Sequence, residues 1–151
     1  MARIVLAVFC QSAIVDGLTN NLSIFNQYDE VHPSPPPEVQ AKKGVPMMAF
    51  QCALASVWER DREEISESVP MRIRLVGPQK KSLPITEGTV DLRKSRRFRL
   101  VTNLPGLPVI GEGTYTFLFE VRLGNRWKRV GDTSLFVNYR APALATKAVQ
   151  H

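Results

Sequence analysis

The densest run of chemically capable side chains is Arg93, Lys94, Arg96, Arg97 and Arg99, five cations within a short stretch. Arginines at strand spacing can track the phosphates of a polyanion. Arg93, Arg97 and Arg99 share one parity, so an extended chain would set them on one solvent face. Phe98 interleaves them, but its parity points inward, away from any base it could stack on. The run therefore predicts binding of nucleic acid or another polyanion. A solvated strand face, or a charged edge that discourages aggregation, explains the same residues with fewer demands. Arg126, Lys128 and Arg129 add to the binding reading only if the fold sets them beside Arg97.

The remaining candidates are sparser. Glu59, Asp61, Glu63, Glu64 and Glu67 form an acidic corner. A calcium site needs six to eight converging oxygens, and Arg60 and Arg62 interrupt this run, so a solvated loop is expected. His32 and His151 are the only histidines, and two isolated imidazoles make neither a metal site nor a triad. Cys10 and His32 could act as nucleophile and base only if something oriented them. Cys10 and Cys52 both lie in apolar runs, where buried free thiols are the simpler reading. His32–Pro37 suits a rigid surface loop better than a docking peptide, because no basic anchor adjoins it. Trp127 and Tyr139 are candidate partner-binding aromatics, or closures of the core. No catalytic residue, metal or cofactor is expected from these patterns.

The whole chain sets the frame for these side chains. It has 151 residues, 44% of them hydrophobic and 23% charged, with a formal net charge of +6. That length suits one domain with its own core. The excess charge favours anionic partners without specifying a fold. Arg3 followed by Ile4–Cys10 imitates a short signal peptide, but no cleavage site of small residues follows, and a buried first strand is preferred. No apolar run approaches the ~20 residues that span a bilayer, so no membrane association is expected.

The apolar pattern has a period of two along most of the chain. Ile4–Phe9 reads as a strand buried on both faces, and Asp16–Asn21 as a turn. Leu22–Tyr28 is a second strand, and residues 32–44 form a proline-rich loop. Met47–Trp58 reads as one long strand, with large side chains at even positions and small ones at odd positions. Met71, Ile73 and Leu75 face inward against Arg72 and Arg74. Val90–Asn103 is a further strand broken by a bulge, edge or turn around Ser95, and residues 105–113 are a Pro/Gly loop. Tyr115, Phe117, Phe119, Val121 and Leu123 alternate most clearly, and Gly124-Asn125 supplies a hairpin turn. Trp127–Val130 pairs back, Gly131-Asp132 turns again, and Thr133–Tyr139 is the last strand. These signals predict an all-β, antiparallel two-sheet sandwich, immunoglobulin-like or similar, of seven to eight strands. One domain would occupy residues 1–140, with a loosely ordered tail at 141–151.

Gly111-Glu112-Gly113-Thr114-Tyr115-Thr116-Phe117, then Val121-Arg122-Leu123-Gly124 and Leu135-Phe136-Val137, resemble the end of a group of small, uncharacterised bacterial β-sandwich proteins known only as a domain of unknown function. Cys10 in the first strand and Leu22-Ser23-Ile24-Phe25 fit its front, so the resemblance covers roughly residues 2–140. It implies a sandwich fold and a cytoplasmic bacterial origin, and it carries over no catalytic residues. The function expected is a non-enzymatic protein-interaction module, binding a protein partner or forming a homodimer. Nucleic-acid or polyanion binding through Arg93–Arg99 is the alternative.

Overall fold

The computed structural model describes residues 1–33 and 47–139. They are all β, with no helix among the described residues. The strands are β1 Ala2–Val15, β2 Leu22–Gln27, β3 Glu30–Val31, β4 Met47–Met48, β5 Cys52–Arg60, β6 Ser68–Val76, β7 Ser82–Asp91, β8 Arg97–Leu104, β9 Leu107–Pro108, β10 Gly113–Leu123 and β11 Arg126–Val137. Seven to eight were expected and eleven are found; β3, β4 and β9 are two-residue pieces that leave no periodic signal. The tail, His151 and Pro35–Pro37 lie outside the described residues.

Sheet A has the order β2-β1-β5-β8 and sheet B the order β3-β11-β10-β6-β7, while β4 and β9 form a small third sheet. All pairs are antiparallel except β3 with β11. Three hairpins follow from local turn chemistry. Asp16 Oδ1 accepts the N–H groups of Leu18 and Thr19 at 2.8 Å each, an Asx-type turn that closes β1 on β2. Lys80 adopts a left-handed backbone between β6 and β7 (φ 59°), and Gly124 does so between β10 and β11 (φ 61°).

Aromatic rings join the two large sheets. Phe9 of β1 stacks on Phe117 of β10 at 5.3 Å between centroids, and Trp58 of β5 meets Phe119 of β10 edge-on at 6.1 Å. Leu54, Met71, Ile73, Leu75, Tyr115 and Leu135 complete the buried cluster around them.

Four sequence expectations are corrected. Residues 47–58 are not one strand: Met47 and Met48 turn away to pair with Pro108 and Leu107. Gly106 permits this approach, since a Cβ there would stand 2.3 Å from the Met48 carbonyl oxygen. Residues 90–103 are two strands in different sheets, because the chain leaves sheet B after Asp91 and enters sheet A at Arg97. The break near Ser95 is thus a crossover. Gly131-Asp132 is no turn: β11 runs through it, with its register shifting opposite Phe119 and Glu120. Glycine serves close approach here, as a Cβ on Gly131 would lie 3.1 Å from Ile4 Cβ. Finally, β1 is not buried on both faces throughout, for Val5 and Leu6 are exposed.

Strand β5 is buried along its full length from Cys52 to Glu59. Its two faces belong to different clusters. Cys52, Leu54 and Trp58 face sheet B, whereas Ala53 and Ala55 lie with Val8 and Cys10 on the outer side of sheet A. Asn26 takes a left-handed backbone (φ 52°) and bonds Gln11 Oε1 through its side chain at 2.9 Å. Beyond this kink Ala13, Leu22 and Ile24 pack against the outer cluster, as does Val101 of β8.

Candidate functional site

The basic run and the acidic corner, separate in the sequence, meet in one network. Antiparallel pairing of β5 with β8 sets Glu59 opposite Arg97, and pairing with β1 sets it opposite Arg3. Glu59 is only 3% exposed. Its carboxylate accepts from Arg96 Nε at 2.9 Å and Arg3 Nη2 at 3.3 Å. Arg97 Nε stands at 3.9 Å, an ion pair too long for a hydrogen bond. Burial raises the Glu59 pKa, but the Arg96 bond and the charges of Arg97, Arg96 and Arg3 outweigh it and hold the group below its ordinary value. Arg96 also reaches Glu63 at 2.9 Å.

The other cations of the run have separate fates. Arg93 lies in the crossover, where it grips Asp91 with Nε to Oδ1 at 2.9 Å and Nη2 to Oδ2 at 2.7 Å. That clamp, with the Arg93 backbone N–H, drives the Asp91 carboxyl far below its usual range. Lys94 is exposed beside it. Arg99 is opposite Val57 on the outer side of sheet A and has no ion-pair partner among the described residues. The five cations therefore do not form one continuous row. Arg60 fixes the crossover from beneath, donating to the carbonyls of Leu92 at 2.6 Å, Arg93 at 3.2 Å and Glu63 at 3.0 Å.

A second clamped carboxylate escaped the sequence reading. Glu120 of β10 is 7% exposed on the outer side of sheet B. It accepts Arg72 Nε at 2.6 Å, and Arg74 binds it with both Nε (2.8 Å) and Nη2 (2.9 Å). Burial raises its pKa, but the bonds from Arg74 and Arg72 dominate, and it too titrates below its ordinary value of 4.5. The available signal was an outward Glu among strands whose outward positions carry Arg72 and Arg74. The Arg72 guanidinium also covers the Trp127 ring, 4.3 Å from its centroid. Trp127 is thus half-buried under a cation, and Tyr139 packs against the core, its N–H donating to Glu112 Oε1 at 2.7 Å.

The thiols and the imidazole do not converge. Cys10 Sγ contacts the Ala53 carbonyl on the outer side of sheet A, and Cys52 lies on the core side; both are free and buried. Burial raises both thiols, Cys52 to about 11. His32 Nδ1 lies 3.0 Å from the Asn138 carbonyl, and its Nε2 lies 3.8 Å from Glu30. Among the described residues no three His, Cys, Asp or Glu side chains form a metal-ligand group. No described helix is long and apolar enough to cross a membrane.

Comparison with protein-family models, with curated proteins and with solved structures finds no match.

Proposed function

We propose that the chain is a β-sandwich interaction module that binds another protein through the β1–β2 side of sheet A. The observation that carries this reading is the set of exposed apolar side chains on β1 and β2: Val5, Leu6, Ile14 and Phe25. A sheet with one face on the core and one in water alternates apolar with polar residues. The outer side of sheet A instead carries Val8, Cys10, Ala53 and Ala55, with Ala13, Leu22, Ile24 and Val101 packed against them. All eight belong to sheet A itself. Leu6, opposite Val57, extends the patch and is 40% exposed. Val8, Cys10, Ala53 and Ala55 are themselves buried, so the exposed apolar surface of sheet A is that of β1 and β2, and such surface marks protein contact sites.

Two features support the sandwich. The Phe9–Phe117 and Trp58–Phe119 contacts run between sheets A and B. Tyr115 Oη also accepts the Ile110 N–H and donates to the Gly111 carbonyl, at 2.7 Å each. A tyrosine pinning the backbone just before its own strand is a device of Greek-key sandwiches.

The test compares two single charges. Leu6→Asp places a carboxylate on the outer face of sheet A, and Phe136→Asp places one on exposed sheet B surface. A partner retained by the wild type and by Phe136→Asp, but lost by Leu6→Asp, is the expected result. Equal retention by both variants would reject that side. Light scattering on the same proteins identifies the case in which the partner is a second copy. Polyanion binding through Arg93, Lys94, Arg96, Arg97 and Arg99 competes with this reading. Salt-sensitive binding to generic DNA or RNA that survives Leu6→Asp would favour it.

A further inference from the structure

We propose that the partner on the β1–β2 side is a second copy of this chain, paired with the first edge to edge along β2 about a twofold axis at Ser23. This rests on the reading of that side as the binding surface. Among the described residues β2 ends sheet A and pairs with β1 alone. The Asp16 N–H bonds the Asn21 carbonyl at 2.8 Å, and from there the register sets Leu22, Ser23, Ile24 and Phe25 opposite Val15, Ile14, Ala13 and Ser12. Antiparallel pairs alternate between bonded and unbonded positions. Ser23 and Phe25 therefore bond back to β1, while Leu22 and Ile24 turn their N–H and C=O groups to the free edge. Asn26 leaves the extended conformation (φ 52°) and ends the straight part of that edge.

The other ends of the two large sheets are guarded. β8 carries Arg97 and Arg99, β7 contains Pro84, Glu87 and Gly88, and β3 is two residues long. Charge, proline and shortness all discourage a further strand from adding to an edge. β2 has none of these: Leu22-Ser23-Ile24-Phe25-Asn26-Gln27 is uncharged, contains no proline or glycine, and exposes Phe25 at 51%.

Charge selects a second copy as the occupant. With a net charge of +6, two copies repel wherever their cations approach. Between Arg3 and Lys42 there is no lysine or arginine, and Asp16 is the single charge in residues 10–27. Two copies can therefore meet along this hairpin without opposing their cations. The same lack of cations leaves the hairpin nothing with which to hold an anionic membrane. Antiparallel pairing of one segment with itself is closed and self-complementary. Leu22 of each copy meets Ile24 of the other, and each such pair exchanges both backbone bonds. Ser23 faces Ser23 of the second copy at the axis, an unbonded position with Cα atoms about 4.5 Å apart. The two sheets A become one continuous sheet.

The test is sedimentation velocity on the full chain over a range of concentrations. A short edge buries less than a standard interface, so the wild type is expected to pass from monomer to dimer across about 1–100 μM. Ser23→Lys and Ser23→Glu change an exposed side chain, and each sets like charges opposite one another at the axis. Each should weaken the dimer about tenfold, and an equimolar mixture of the two should restore it. Ser23→Cys should oxidise to a disulfide-linked dimer, because the spacing at the axis suits that bond. Phe136→Cys should not. A wild type that stays monomeric would overturn the second copy while leaving the β1–β2 side to another protein. A mixture that fails to recover would overturn the axis at Ser23. A dimer kept in Ser23→Lys but lost in Leu6→Asp would move the contact from the β2 edge to the Val5–Leu6 end of β1. A dimer unchanged in both would remove the β1–β2 side as well.

Discussion

Glu59 and Glu120 are the same device built twice and finished differently. Each directly follows an aromatic residue, Trp58 or Phe119, and those two rings touch across the core. The carboxylates therefore leave the same core layer in opposite directions, one on each outer face. Around Glu120 both arginines come from β6, and both are largely shielded, at 25% and 29% side-chain exposure. Three short bonds and the Trp127 ring use up the charge. Around Glu59 the arginines come from β1, the crossover and β8, and are 50–63% exposed. The Glu120 network closes on itself, whereas the Glu59 network keeps exposed guanidinium groups.

The contrast can be broken from either side. Glu120→Gln should have the larger effect, on the order of 2 kcal/mol, because it strands two shielded guanidinium groups. That corresponds to a loss of about 4–8 °C in melting temperature by calorimetry. Glu59→Gln should cost less than half as much, since its exposed arginines return to water. An equal loss would mean that the Glu59 network is structural too.

Acid sharpens the comparison further. Both carboxylates titrate below their ordinary value when folded. Each therefore contributes stability that is fully present above about pH 4.5 and is lost as pH falls through the folded pKa. Urea midpoints measured from neutral to acid pH should decline below pH 4.5. The decline should be shallower in Glu120→Gln than in the wild type. A decline of unchanged steepness in that variant would exclude Glu120 as its main source.

The smallest effect expected is that of Trp127→Ala. Losing the ring beneath Arg72 should cost about 0.5–1 kcal/mol. Arg72 would keep its bond to Glu120, so the acid response should stay that of the wild type.

Much of sheet B was legible because its strands face unlike environments. β10 alternates Tyr115, Phe117 and Phe119 against Thr116 and Glu120, and one face of the pleat explains it. β5 was harder, since both faces are apolar and the outer one is built from alanine, so large-and-small alternation concealed the second cluster. β7 left no clear alternation because Pro84 and Gly88 interrupt it, though an edge strand tolerates both. Gly131 misled for a related reason: a glycine at a crowded contact looks like a glycine at a turn. The charges of the site were visible, but their partners were not. Arg96 and Glu59 lie 37 residues apart, and Arg72 and Glu120 lie 48 apart. Only strand register joins them, and register follows from the packing of the whole sheet.

The two thiols lie on neighbouring strands yet open to opposite sides of sheet A. They give the chain a pair of internal clocks. Alkylation of Cys52 must wait until the two sheets part, so its rate follows global unfolding. Cys10 is fully buried beside the Ala53 carbonyl, so its alkylation follows the parting of β1 from β5. The ratio of the two rates reads whether β1 leaves β5 before the two sheets part.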